Sequence, residues 1–443
     1  MKTDLVFSIA ILLCIESIVF PTLCFAEKSK VKDDEILYVG CAKRIVTPDP
    51  LLPVSGGVGK PEPVEKKIGD LFARAMVMKK GNTCVAIVSM DFLGWSSPLA
   101  NKIRAYAPQI PPENILIGVT HTHSAPETYG FMDEQGNCTA DLKYLDWVCE
   151  KAGEAINEAY NNMKPAYLKI AVREAKGKIA YNYYAEELYD RRCNVLQAIH
   201  AKGKDAGKPI VTLVNYAIHP EVIGDSQKIL SPDLCGPLYD KIERETNGMA
   251  IFMNSAQGGM VTADCRGPNG DIQTWDECVR IGELLASEAL RIVSDAPVQK
   301  NPTLYCTNMT VEFPIYSPLL KMVLKNSPIK YPITERGTIS TTINLLNVGT
   351  AQIVTIPGEA LPNIGFYLKR KMPTPHAFLF GLTNDAFGYI ITKVDWNSFP
   401  RYNYISRTSL GEMTGEILID SILKIIEPSP KPDPILNNKP ENK

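Results

Sequence analysis

Five histidines occur in the chain, His121, His123, His200, His219 and His376, and three of them directly follow short apolar runs of the kind that form buried strands. His121 and His123 follow residues 114–119, and His219 follows residues 210–218. In an extended segment, residues two apart share a side, so the spacing predicts that His121 and His123 face one cavity while Thr122 faces away. Alone, such a pair is equally consistent with packing at a strand end. Adding His219 and the carboxylate of Glu359, in Pro357-Gly358-Glu359, supplies the mixed nitrogen and oxygen donors that zinc takes, and the expected cofactor is one Zn2+ per chain. The chemistry of such a site is hydrolysis, since the ion makes a water acidic at a pH of about 7.

Other polar residues at strand ends are candidates for supporting roles. Asp91 follows residues 84–90 and is placed either to orient a liganding imidazole through its second ring nitrogen or to cap a helix or turn. Beyond residues 249–253, Asn254, Gly258 and Gly259 either bring backbone N–H groups to a substrate oxyanion or make an ordinary tight turn. Ser124 and Ser255 are the alternative, as covalent nucleophiles with histidine as base, but neither lies in a GxSxG elbow. His200 and His376 lie away from these segments and receive no role.

The elements that must hold these groups are legible as periodicity. Residues 140–163 carry Leu142, Leu145, Val148, Ala152, Ile156 and Ala159 on one stripe, and with 277–293 and 411–426 they are predicted to be amphipathic helices. The runs 84–90, 114–119, 210–218, 249–253, 351–356 and 377–382 read as buried strands. Strands interspersed with helices predict an α/β fold: one large domain over residues 34–426, its mixed β-sheet flanked by helices. In such sheets the site lies beyond the carboxyl ends of the strands, where these polar residues converge.

With these segments in hand, the chain resembles the neutral/alkaline non-lysosomal ceramidases. The matching segments are Val39-Gly40 to Thr47-Pro48, residues 70–78 with Val88-Ser89-Met90-Asp91, GVTHTHSAP at 118–126, VNYAIHP at 214–220, residues 254–264, IPGEAL at 356–361 and TNDAFGYIIT at 383–392. The resemblance implies zinc held by His121, His219, Glu359 and Tyr389, with His123 as proton shuttle, in an amidohydrolase acting on ceramide or a similar N-acyl lipid. The residues alone give Tyr389 no such role; it reads equally as an aromatic packed beneath a loop or as a hydrogen-bond donor to an oxyanion. The chain also departs from the family. An Asn-Arg pair is replaced by Asn182-Tyr183, with Arg191 and Arg192 the nearest arginines, and a Ser-Pro-Asn ending is replaced by Thr262-Ala263-Asp264; the family's usual C-terminal β-domain is not expected within these residues. These changes leave room for a non-catalytic, zinc-containing binding protein.

Composition bounds the rest. The 443 residues are 45% hydrophobic and 22% charged with a net charge of −2, as in folded globular proteins, and no basic stripe marks a nucleic-acid partner. Lys2, an apolar run over residues 5–15 and Cys24-Phe25-Ala26 predict a signal peptide over residues 1–26, hence a secreted or periplasmic protein; an uncleaved anchor is disfavoured by Glu16 and Pro21. Of eleven cysteines, Cys14 and Cys24 belong to this leader, and Cys138/Cys149 and Cys265/Cys278 are the closest candidate disulfides. Residues 427–443, rich in Pro, Lys and Asn, are expected to form a loose tail. Leu319, Leu320, Met322 and Val323, flanked by Lys321 and Lys325, form an amphipathic stretch suited either to core packing or to peripheral contact with lipid. Oligomeric state is not legible.

Overall fold

The computed structural model describes residues 35–435; the expected leader and residues 436–443 lie outside them. The first mixed sheet contains β1 (Tyr38–Ile45), β2 (Phe72–Lys80), β3 (Thr83–Met90), β4 (Ile115–Val119), β5 (Lys164–Glu174), β6 (Arg192–His200), β7 (Pro209–Tyr216) and β8 (Met249–Asn254). Its order is β8-β7-β6-β5-β1-β2-β3-β4, with Val298–Gln299 added on β5. Only β3/β4 and β7/β8 are parallel pairs within it. A second sheet of four strands, β9 (Leu304–Pro314), β10 (Thr338–Val348), β11 (Ala351–Thr355) and β12 (Ala377–Phe380), ends in a parallel β11/β12 pair. Sequence periodicity locates β11 and β12 but does not reveal that they form a separate sheet.

Each apolar run is continuous because it feeds two cores. In β3, Cys84, Ala86, Val88 and Met90 enter one cluster, beneath α1 (Ser97–Ala105) and α2 (Leu142–Asn161), while Val85 and Ile87 enter another, between the two sheets. In β8, Ala250 and Phe252 pack under α3 (Cys235–Thr246) and α4 (Trp275–Ser294), whereas Ile251 and Met253 face the second sheet. Side chains two apart share a face, so a strand buried on both sides reads as unbroken apolar sequence. The outer face of the second sheet is covered by α6 (Pro362–Lys371) and α8 (Thr414–Ile426). The result is four layers, helices outside and two sheets inside.

Local signals explain the helix limits. Asp141 caps α2 by accepting from the Lys143 and Tyr144 amides, each at 3.0 Å. Leu145, Val148, Ala152, Ile156 and Ala159 are buried as the stripe requires, but Leu142, in the first turn, is exposed. Residues 427–435 are not loose: the Asp433 amide donates to Gly349 O at 2.9 Å and Asn347 Nδ2 to Pro430 O at 2.6 Å, fixing this stretch to the β10–β11 turn. The nine described cysteines are all free thiols, so neither expected disulfide is present; Cys149 Sγ instead donates to Leu99 O at 3.5 Å. Among the described residues no helix is long and apolar enough to cross a membrane.

One buried ion pair joins α6 to the start of β6. Lys369 Nζ lies 2.8 Å from Asp190 Oδ2, and Arg192 Nε lies 2.7 Å from Asp190 Oδ1. Burial alone would raise the Asp190 carboxyl, but Lys369 and Arg192 hold it down at about 2. The sign follows: a depressed carboxylate stabilises the fold above its ordinary pKa of 3.8, and that contribution is lost as pH falls toward about 2. Removing one partner of such a pair strands a charge, so Lys369→Met is expected to cost about 3 kcal/mol in urea unfolding near neutral pH. The deficit should narrow as pH is lowered from 3.8 toward about 2; a deficit independent of pH would remove Asp190 from the account.

Candidate metal centre

The two sheets deliver their polar residues to one place because the parallel strands β4, β7, β8, β11 and β12 end together. The turn after β4 is stitched to the end of β3 by Thr120 N to Met90 O and His121 N to Phe92 O, both 2.9 Å. His121 is not extended as expected; its φ of +72° is a left-handed conformation unusual for a residue with a Cβ, of the kind that a surrounding structure must enforce. The imidazoles still converge. Ring centroids of His121 and His219 are 4.8 Å apart, those of His121 and His123 4.9 Å, and those of His123 and His219 5.6 Å. Thr122 does turn away, donating to Ser231 O at 3.0 Å.

Two of the rings are held in the same sense. His219 Nδ1 is 2.8 Å from Val261 O, and His121 Nδ1 contacts Leu93 O. A backbone carbonyl accepts, so each Nδ1 is engaged as a donor and each Nε2 is left as the ring atom that faces the site. Both Nε2 atoms meet Glu359 Oε2, at 2.9 Å from His219 and 3.5 Å from His121. His123 Nδ1 lies 3.5 Å from Glu221 Oε2, and its buried Nε2 has no hydrogen-bond partner. His121, His123 and His219 offer nitrogen atoms within 4.8 Å of one another. The donor set, the two rings anchored through Nδ1 and the unpartnered nitrogen fit a metal ion.

Charge follows geometry. Burial would raise the Glu359 carboxyl, but His121 and His219 hold it well below the usual carboxylate range. Burial would lower His219, but its hydrogen bond to Glu359 raises it to about 9. Burial, with His121 and His219 beside it, pushes His123 well down, which favours the neutral ring.

Glu359 and Tyr389 are partners in a short parallel pairing of Glu359–Ala360 with Tyr389–Ile390. Both line a cavity with His121 and His123, whose other walls include Leu93, Phe131, Leu320, Val323, Leu324 and Phe387. The Tyr389 hydroxyl points to Met260 Sδ at 3.4 Å, and burial and the Glu359 charge keep it protonated. Tyr129 and Tyr404 also line the cavity. Together with Glu221 they escaped the sequence reading. Glu221 stands two residues after His219, which was the available signal; the tyrosines carry none.

The supporting residues do something other than expected. Asp91 touches no imidazole: its carboxylate accepts from Phe72 N at 2.8 Å and Tyr239 Oη at 3.2 Å, and backbone carbonyls orient the rings instead. Asn254 does not line the cavity. Its Nδ2 donates to Thr120 O at 3.0 Å and Ile218 O at 2.7 Å, the carbonyls immediately before His121 and His219, so one buried amide braces both turns. The Gly258 amide is spent on Ala360 O at 3.0 Å, and a Cβ there would sit 2.1 Å from Glu359 O; the glycine serves close approach, not an oxyanion. Gly259 has φ +67° and likewise lies outside the cavity lining. Arg191 pairs with Glu187 and Arg192 with Asp190, and no arginine lines the cavity among the described residues. Ser124 Oγ donates to Gly224 O, Ser255 Oγ is buried without a partner, and neither meets a histidine.

No protein-family model and no curated relative matches the chain. Solved structures do. The chain superposes on the neutral ceramidase from Pseudomonas aeruginosa with a TM-score of 0.73 at 15% identity, covering 91% of this chain and 77% of that one. The fold is that of the neutral ceramidases. A ceramidase complexed with C2 matches with a TM-score of 0.68, again at 15% identity, over 90% of this chain and 77% of the other. At such identity the shared fold is what the likeness carries.

Residues that position metal ligands typically cost about 10–100-fold in affinity when removed. Asn254→Ala and Gly258→Ala are therefore expected to lower affinity for a divalent ion by about that factor in competition with a chromogenic chelator. Unchanged retention in both would mean that neither turn positions a ligand.

Proposed function

We propose that the protein is a zinc-dependent amidohydrolase that cleaves an N-acyl amide, ceramide or a ceramide-like lipid. The observation that carries this reading is the convergence of His121 Nε2 and His219 Nε2 on Glu359 Oε2, each ring fixed by a backbone carbonyl at its other nitrogen. The ceramidase fold and the apolar cavity walls support it further. His121, His219 and Glu359 would hold the ion, with Tyr389 as the fourth protein group. When bound, zinc supplies a Lewis acid and a water acidic at a pH of about 7.

The rest is the work of the chain's own side chains. His123, neutral and with a free Nε2, takes up a proton and returns it to the leaving amine. Glu221, 3.5 Å from its Nδ1, compensates the imidazolium that forms. Tyr129, which also lines the cavity, can donate its hydroxyl to the scissile carbonyl oxygen. Leu320, Val323 and Leu324 exclude water from the acyl side. The leader expected over residues 1–26 supports action outside the cytoplasm.

Metal analysis of purified protein is expected to find about one zinc per chain, lost in His121→Ala and Glu359→Ala together with release of fatty acid from ceramide and from a short N-acyl amide. His123→Ala should keep the zinc and lose turnover by about 100-fold or more. Metal content unchanged in the ligand variants would overturn the site, and zinc without turnover on either amide would leave a binding protein.

A further inference from the structure

Helix α5 (Pro318–Asn326) forms one wall of the cavity mouth and is clamped at both ends. Ser317 Oγ caps it and donates to Arg407 O at 2.7 Å, tying it to α7 (Asn403–Arg407), and Ser327 Oγ donates to Tyr129 O at 2.9 Å. Leu320 and Leu324 are buried against the core, while Lys321, Met322 and Lys325 face solvent. The apolar surface continues around the mouth. Val58 and Tyr404 share the cavity wall with Val323, and Val58 also joins Leu319 and Met322 in the adjoining depression. Tyr316 packs on the Leu410-Gly411 segment beside it. These are large side chains left unusually open: Tyr316 is 65% exposed, Met322 56%, Tyr404 49% and Val58 45%. Lys321 and Lys325 make no ion pair with any described residue. The acidic residues of the depression, Asp133 and Glu134, lie on another segment, and Asp133 is engaged by the Gln135 and Asn137 amides of its own turn.

We propose that this rim docks the protein on an anionic lipid surface, with Met322, Val58 and the tyrosines entering the interface and Lys321 and Lys325 meeting the headgroups. Tyrosine has an apolar body and a polar tip, and lysine an apolar stem and a charged end, which suits both to the boundary between acyl chains and water. Lysines near an anionic surface add attraction that salt screens. The surface adjoins the cavity through Val58, Val323 and Tyr404, so docking brings the cavity against the lipid and lets an N-acyl lipid pass inward without crossing bulk water. This purpose rests on the proposed hydrolysis; the docking itself does not.

The test uses the full chain, with sedimentation on vesicles of phosphatidylcholine alone and of phosphatidylcholine mixed with phosphatidylglycerol. The wild type should bind the anionic vesicles more tightly, and added salt should weaken it. Lys321→Glu/Lys325→Glu is expected to lose roughly tenfold or more of that binding, and Tyr316→Ser/Met322→Asp to lose binding to both vesicle types. Both variants should retain the wild-type melting temperature and turnover of a dispersed short N-acyl amide, while hydrolysis of a long-chain amide embedded in anionic vesicles falls. No wild-type binding to either vesicle, or equal binding by the charge-reversed variant, overturns the proposal. A protein that binds as expected but cleaves no amide supports the docking and sinks the hydrolase; one that cleaves the short amide and ignores vesicles does the reverse.

Discussion

Glu359 is a buried carboxylate set between two imidazoles, and an ion in that position has to remain paired. Left alone in such surroundings it would cost several kcal/mol, so the segments that carry His121, His219 and Glu359 must meet although they are far apart in sequence. The contacts at 2.9 and 3.5 Å bring together the end of the first sheet and the end of the second. Nearly everything distinctive about the architecture serves that junction.

The frame makes the meeting rigid. Asn215 Nδ2 reaches Met253 O in its own sheet and Leu379 O in the other, and Asn194 Nδ2 reaches Ala377 O. These buried amides lock the register between sheets that otherwise touch through apolar side chains, which specify position weakly. Gly381 N to Asn254 O then ties the strand ends, and Asn254 passes the alignment on to the carbonyls before each histidine. Directional bonds inside a dry core have few alternatives, so a small number of them suffices to fix a site.

Much of this was legible in the sequence. The strands that end at the site are short apolar runs followed by polar motifs, and both features survive without knowledge of the fold. Six of those runs and three amphipathic helices lie where periodicity puts them. What escaped follows from the same physics. β2, FARAMVMKK, and β6, RCNVLQAIH, are buried on both faces and antiparallel, but buried Arg74 in one and Asn194 and Gln197 in the other interrupt the apolar run that would have marked them. The second sheet is invisible because its inner face and the first sheet's inner face are both simply apolar. Asp91 was misread because a strand-end carboxylate looks the same whether it serves an imidazole or a tyrosine, and Gly258 because a glycine needed for another backbone's approach looks like one needed for a substrate's. The residues 427–435 were read from composition, which cannot register a few hydrogen bonds to a turn.

The absence of arginine and lysine from the described cavity lining bears on what the cavity admits. Its polar side chains are imidazoles, one carboxylate already paired, Thr408, and the hydroxyls of Tyr129, Tyr389 and Tyr404, these three held protonated by burial and by the Glu359 charge. A substrate carrying a carboxylate would bring a negative charge into an apolar space with Glu359 and Glu221 nearby and no arginine or lysine in the described lining to receive it, at a desolvation cost that tyrosine hydroxyls do not offset. A neutral amide meets no such penalty, since neutral donors satisfy its carbonyl and the apolar walls accept its acyl chain. Within the proposed hydrolase, the same missing arginine that sets this chain apart from the ceramidase pattern therefore argues for N-acyl alkanolamines and sphingoid amides over N-acyl amino acids.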